Sequence, residues 1–310
     1  MIKRNDYKKR EETIFTRANE NPRLNTKLAD YPDMYGIYEE FNKKFMDNND
    51  SFSFILTNGC ENALRITCQV VKRLINGKVS LYKESPTWGM VPVVYDQVFY
   101  DCTSINSDLE FMYDDKLKGF VYSTTSVFDK DSNNILYRTY RTNNLFSHQD
   151  LWFSNTWQIV DYTYTLPLNA IKEYKQSLLD HYNDKDVFNF IGIGSFSKFY
   201  GCGLRLGYIL FNNKLKDIFN LYREEYINRL ACDFILKYKS LSEEELILNS
   251  NIYEYGINID TNVISKNLSY RTIKAKDAID NHYNGTNKEF TVKDTNGKNI
   301  SFYRLGYHKL

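Results

Sequence analysis

The chain has 310 residues, enough for one large domain or a large domain with a smaller one, and its 42% hydrophobic and 25% charged content is ordinary for a globular protein. Forty basic residues against thirty-nine acidic ones leave a net charge of +1, which makes no electrostatic case for nucleic acid or an anionic membrane. No apolar run approaches the roughly 20 residues of a transmembrane helix, and the charged start Met1-Ile2-Lys3-Arg4 precedes no apolar stretch, so neither a membrane anchor nor a secretory signal is expected and the expected location is cytoplasmic.

In chain order, residues 1–35 are polar and interrupted by Pro22 and Pro32, an extended arm rather than a helix. Ser53-Phe54-Ile55-Leu56 is a short apolar segment, and Ala63, Leu64, Ile66, Val70, Val71 and Leu74 then recur at helical spacing. Buried strands are predicted at Val79–Tyr82, Gln97–Tyr100, Gly119–Tyr122, Trp157–Val160, Phe188–Ile191 and Leu206–Leu210, with helical stretches between them. That alternation implies βαβ units and a mostly parallel sheet, whose chemistry collects at the carboxyl ends of the strands. A long amphipathic helix is predicted from Asn213 to Tyr238. Weaker strands at Asn262–Ile264, Glu289–Val292 and Ile300–Tyr303 predict a small α+β domain. The expected division is therefore an arm over 1–35, a large domain over 36–238 and a small, shortened domain over 239–310.

The five cysteines are scattered without a C-x-x-C pair, and the four histidines lie far apart, which leaves no zinc pattern and no metal site expected. The densest chemistry lies in Gly194-Ser195-Phe196-Ser197-Lys198-Phe199-Tyr200-Gly201-Cys202-Gly203-Leu204-Arg205-Leu206-Gly207-Tyr208. A lysine after a strand end, flanked by two hydroxyls and followed by a glycine-rich turn with an arginine, can surround one small anionic ligand. A solvated lysine on a glycine-rich loop fits the same residues. A Walker loop does not, because no glycine immediately precedes Lys198, and a full G-x-G-x-x-G is missing.

Several further segments, in order, resemble the fold-type I pyridoxal 5′-phosphate (PLP) aminotransferases, and most closely their histidinol-phosphate aminotransferase branch. Asn19-Glu20-Asn21-Pro22 is similar to an N-E-N-P motif and Tyr31-Pro32-Asp33 to R-Y-P-D/E. Thr57-Asn58-Gly59-Cys60-Glu61-Asn62-Ala63 resembles the turn into the first long helix, and Pro86-Thr87-Trp88-Gly89-Met90 resembles P-T-Y-G-M. Asp161-Tyr162-Thr163-Tyr164 is similar to D-E-A-Y, Thr261-Asn262-Val263-Ile264 to T-N-Y-I, and Phe302-Tyr303-Arg304-Leu305-Gly306 to L-R-I-T-x-G. The resemblance runs from about residue 18 to 306. It implies an aminotransferase-like α/β fold with a mostly parallel central sheet, helices on both faces and a small C-terminal α+β domain.

It also implies PLP as cofactor and amino-group transfer between a small amino acid or amino-phosphate and a keto acceptor. Lys198 would carry the cofactor as a Schiff base and shuttle the proton at Cα. Asp161 would pair with the pyridine nitrogen, Tyr164 would bond the 3-hydroxyl and Trp88 would stack on the ring. The phosphate would be held by the backbone at Gly59, Cys60 and Glu61, by Ser195, Ser197 and Arg205, and by Tyr31 of a second subunit in a homodimer. Arg304 and Asn21 would bind substrate. Aspartate in a turn, arginine in a surface ion pair, and tyrosine or tryptophan in a core are the plain alternatives for these residues.

Two departures bear on the cofactor. The S-P-N-N-P-T-G segment expected after Phe120-Val121-Tyr122 is replaced by Ser123–Asp129, with Ser126 where an asparagine usually donates to the ring's 3-oxygen. Seven positions, not the usual eight, separate Lys198 from Arg205. A decarboxylase or lyase of the same fold therefore remains an alternative, as does a non-catalytic relative that binds a ligand or partner.

Overall fold

The computed structural model describes residues 51–85, 87–102, 104–116, 119–122, 132–140, 156–181, 189–200, 202–222, 263–266, 270–275 and 288–306, with isolated residues between 227 and 245. Asn21, Tyr31 and Ser126, each expected at the site, lie outside them.

A central sheet runs in the order β1-β8-β7-β6-β5-β2-β3. Its strands are β1 (Phe52–Thr57), β2 (Val79–Ser85), β3 (Ser104–Asp114), β5 (Asn133–Thr139), β6 (Thr156–Asp161), β7 (Phe190–Ser195) and β8 (Gly207–Asn212). The pairs β2–β3, β2–β5, β5–β6 and β6–β7 are parallel, whereas β8 is antiparallel to both β7 and β1. Every strand but β8 therefore points the same way. β6, β7 and β8 are buried along their whole length, as strands covered on both faces must be.

Helices α1 (Cys60–Leu74), α2 (Met90–Val98) and α3 (Pro167–His181) flank this sheet, and a single helical turn, α4 (Ser197–Tyr200), follows β7. α1 buries Ala63, Leu64, Ile66, Thr67, Cys68, Val70 and Val71, a stripe at helical spacing. It lies against β1, β6, β7 and β8, while α3 lies against β7. β7 contains Gly192 and Gly194, and rings occupy the space where their side chains would stand: Tyr174 and Tyr162 over Gly192, Tyr208 over Gly194.

The second half of β3 leaves the central sheet to pair with β4 (Gly119–Tyr122), antiparallel, and with β11 (Lys288–Asp294), parallel. β12 (Asn299–Gly306), β10 (Tyr270–Lys274) and β9 (Val263–Lys266) continue from β11 as antiparallel neighbours. A separate small core of Tyr113, Phe120, Val292 and Phe302 holds this second group together.

Four sequence expectations are corrected. Gln97–Tyr100 is not a strand: Val91, Val94, Tyr95 and Val98 recur every three or four residues and bury one face of α2, with Pro92 in the first turn where no helical N–H is needed. Gly119–Tyr122 is a strand, but it pairs only at the outer end of β3. The place beside β6 belongs to β5, which the polar start Asn133-Asn134 and the buried Arg138 conceal in the sequence. The strand predicted at Phe188–Ile191 instead starts at Phe190 and runs through both glycines to Ser195. Finally, no single helix spans Asn213–Tyr238. A short 3-10 turn, Asn213–Leu215, is capped by the Asn212 side chain and leads into α5 (Lys216–Leu221), which stops where the Tyr222 N–H bonds back to Phe219 and Asn220. The chain is helical again at Ala231, Phe234, Ile235, Lys237 and Tyr238.

Among the described residues no helix is long and apolar enough to cross a membrane, and no cluster of His, Cys, Asp and Glu could hold a metal ion.

Candidate functional site

Strand register brings the carboxyl edge of the sheet to one line. Thr57 of β1 and Ser195 of β7 both face Gly207, the first residue of β8. Asp161, the last residue of β6, faces Thr139 of β5 on one side and Ile193 of β7 on the other. The turns that leave β1, β6 and β7 thus surround one place.

After β1 the chain turns tightly. The Gly59 N–H donates to the Thr57 carbonyl at 2.8 Å, and the Thr57 hydroxyl donates to the Gly59 carbonyl at 3.0 Å. Gly59 adopts φ 89°, which suits glycine, and it precedes α1 with no side-chain cap on the first-turn N–H groups. Glu61 turns its carboxylate to Arg65, 3.4 Å away, so the first turn offers backbone donors. Gly207 passes so close that an added Cβ would stand 2.6 Å from the Gly59 carbonyl carbon. The guanidinium of Arg205 covers Gly59, its Nη2 3.5 Å from where a Cβ there would be. A fifteen-residue helix N-terminus and a guanidinium thus form one cradle for an anion. The short Lys198–Arg205 spacing is absorbed in the backbone: a 3-10 turn over Cys202–Leu204 is followed by Arg205 at φ 47°, the one non-glycine residue with positive φ among the described residues.

After β7, the Ser195 hydroxyl donates to the Leu206 carbonyl at 3.3 Å and accepts the Ser197 N–H at 3.0 Å. That side chain therefore fixes the start of α4 and closes the loop to β8, together with the bond from the Phe196 N–H to the Leu206 carbonyl at 3.0 Å. Lys198 is exposed, its amine 5.6 Å from the centre of the half-buried Tyr164 ring.

Asp161 is 4% exposed. Its Oδ1 accepts the Thr163 N–H at 2.8 Å and the Cys60 thiol at 3.7 Å, and its Oδ2 accepts the Tyr137 hydroxyl at 2.5 Å. Burial pushes its carboxyl above the ordinary aspartate value even though these bonds all favour the ionised form. Among the described residues it has no ion-pair partner. Burial and the Asp161 charge likewise push the Cys60 thiol up, against the opposing pull of Lys198, so the thiol stays neutral and also accepts the Thr163 hydroxyl at 3.2 Å.

Trp88 stands beyond the end of β2, more than a third exposed. Arg304 lies on β12 opposite Thr272 and Lys288, within the second group of strands. Gly59, Cys60, Asp161, Ser195, Ser197, Lys198 and Arg205 therefore gather on the carboxyl edge, with Tyr164 beside Lys198. Sequence reasoning missed Tyr137 and Thr163, and used only the backbone of Cys60; one tyrosine among 26 carries no distinguishing signal.

An open groove of about 470 Å³ between α1 and α2 is lined by Arg65, Gln69, Lys72, Arg73 and Gln97. It is a weaker candidate because two of its three cations are engaged: Arg65 donates to Gln97 at 2.6 Å and Lys72 to Asp101 and the Val98 carbonyl.

No protein-family model and no curated protein sequence matches the chain. Solved structures do. An aromatic amino acid aminotransferase from Burkholderia cenocepacia J2315 aligns over 78% of this chain and 67% of its own, with 15% identity and a TM-score of 0.50. Aminotransferase AspB from Helicobacter pylori 26695 aligns over 94% and 84%, with 14% identity and a TM-score of 0.50. The chain spans 62% of the length of one further aminotransferase structure and 64% of another. Matches at such identities fall on several kinds of aminotransferase alike and single out no branch. What they share with this chain is architecture: it has the α/β aminotransferase-like fold, a mixed sheet flanked by helices.

Proposed function

We propose that the chain is a PLP-dependent aminotransferase that acts on a small amino acid or amino-phosphate, with Lys198 as the covalent anchor of the cofactor. The observation that carries this reading is Asp161, a buried carboxylate without a cationic partner among the described residues. It stands on the same strand edge as Lys198 and the Gly59–Arg205 cradle.

The residues present fit the group. The first-turn N–H groups of α1 and the Arg205 guanidinium would take the phosphate dianion. Asp161 would take the protonated ring nitrogen and gain the opposite charge that its burial lacks. The Lys198 amine would hold the aldehyde carbon. Trp88 would cover the ring and Tyr164 would reach its 3-oxygen. Ser195 would serve mainly by holding the loop, and Ser197 by adding a donor. When bound, PLP supplies an electron sink that stabilises negative charge at a substrate's Cα. Lys198 would then move the proton to and from Cα, and the buried Asp161 would keep the ring nitrogen protonated.

The residues after β5 are Tyr140-Arg141-Thr142-Asn143-Asn144. With β5 beside β6, an asparagine of this run would be a second candidate for the 3-oxygen contact beside Ser126, whose segment follows β4. A decarboxylase or lyase of the same fold stays the alternative reading, and the amino-transfer assay below separates the two. Asn21 and Arg304 would bind substrate, and Tyr31 would reach the phosphate of a second subunit in a homodimer.

The test is borohydride reduction of protein incubated with PLP, followed by peptide mass mapping and an assay of amino transfer to 2-keto acids. A pyridoxyl group on Lys198, absent from Lys198→Ala, is expected. Wild-type protein that acquires no label overturns the reading.

A further inference from the structure

We propose that Tyr137 is a positioning residue: its hydroxyl pins one oxygen of Asp161 so that the carboxylate presents its remaining lone pair to the ring nitrogen of a bound cofactor. The inference rests on the PLP reading above, yet what Tyr137 does to Asp161 can be measured without cofactor.

A carboxylate offers about four acceptor positions. Thr163 and Cys60 address Oδ1 and Tyr137 addresses Oδ2, so among the described residues one position on Oδ2 is open. Tyr137 cannot swing away, since it is fully buried in β5. It stands opposite Ile159, and Thr139 stands opposite Asp161, so Tyr137 and Asp161 are diagonal neighbours across β5–β6, a separation an aromatic side chain spans. The oxygen it holds therefore has a fixed direction, and the open position has one too.

The groups around Asp161 keep the proton where this role needs it. Cys60 faces it from α1, Tyr137 from β5 and Tyr208 from β8, and all three are held well above their ordinary values by burial, with the Asp161 charge adding to the effect. Lys198, on α4, exerts a weaker, opposite pull on Cys60. None of the three surrenders its proton before Asp161 does, so Tyr137 remains the donor. The Thr139 hydroxyl bonds in turn to the Tyr137 phenol, which sharpens its donation. A bond donated to the ionised form favours that form, so removing it must raise the pH at which Asp161 ionises.

The experiment is a ¹³C-carboxyl aspartate NMR titration of the cofactor-free protein, with the Asp161 resonance assigned by its loss in Asp161→Asn. In Tyr137→Phe the midpoint should rise by about one pH unit or more. PLP should then leave Tyr137→Phe at least about tenfold faster than wild type at a pH between the two midpoints, followed by loss of absorbance in excess buffer. An unchanged midpoint in folded Tyr137→Phe overturns the proposal, as does a raised midpoint with an unchanged release rate. Failure of wild type to bind PLP, with the midpoint still raised in Tyr137→Phe, instead sinks the cofactor reading and leaves only the hydrogen bond. Should Tyr137→Phe fail to fold, Tyr137→3-fluorotyrosine keeps the shape and donates more strongly. Its midpoint must fall, and one that does not overturns the proposal.

Discussion

Tyr208 and Asp161 show how differently two buried polar groups are treated by the same fold. The Tyr208 hydroxyl is buried over Gly194 with no hydrogen-bond partner among the described residues, so the chain bears its desolvation without return. Tyr208→Phe should therefore stabilise the protein by about 1 kcal/mol, read as a higher urea midpoint at constant slope. Asp161 is well bonded but lacks a countercharge, and burial raises its carboxyl above the ordinary value. The cofactor-free folded state thus keeps its proton to higher pH than the unfolded chain does. Stability is greatest below the unfolded value, falls as pH rises toward the folded one, and is flat beyond it, by about 1.4 kcal/mol per unit of difference. Asp161→Asn should remove that slope; an equally steep profile in the variant would contradict the assignment. That Asp161 and Gly59 stand at strand ends was legible in the sequence because each ends or follows a recognisable apolar run, whereas the roles proposed for them and for Lys198 came from the resemblance. Tyr137 was not, because its value lies in the register between β5 and β6, the first of which the sequence concealed, and Thr163 was not, because its bonds join a turn after β6 to Asp161 and Cys60.

At the scale of elements, close approach matters more than propensity. Gly207 lies against the Gly59 backbone, and neither backbone can yield cheaply. Gly207→Ala should cost about 1–3 kcal/mol and weaken inorganic phosphate binding at the α1 cradle, measurable by calorimetry. β3 serves two cores, since its first half pairs with β2 while Tyr113 joins Phe120, Val292 and Phe302. Phe302 is fully buried there, with rings of Phe120, Tyr113 and Phe290 within 4.9–5.7 Å. Phe302→Ala should cost about 3–5 kcal/mol and speed amide exchange in β11 and β12 ahead of β6 and β7. Uniform acceleration through all strands would show the two cores to be one cooperative unit. Periodicity found α1 and β6 readily. It failed at α2, where a short apolar run fits helix and strand alike until its length is known. It failed at β5 because a buried arginine breaks the apolar pattern, and at β7 because two glycines read as a break when they are sites for neighbouring rings.

For the whole molecule, the alternation of apolar runs was enough to read a mostly parallel central sheet, and the one strand reversed within it among the described residues, β8, was not foreseen because direction is set by what connects β7 to β8. That reversal has a consequence for how the fold can change. A parallel crossover would have separated the ends of β7 and β8 by a helix, whereas the antiparallel turn puts Lys198 and Arg205 on one loop, stapled shut at Phe196 and Leu206. The loop works as a gauge: it sets the span between an amine and a guanidinium, and with it the length of any ligand that can touch both. Lys198 stands on a helical turn and Arg205 at the exit of a 3-10 turn, so inserting or deleting one residue between them would change both that span and the direction in which the Arg205 side chain leaves the loop. For a ligand held by both residues, size would thus be inherited as loop length and would change only in steps that the Arg205 backbone is able to absorb.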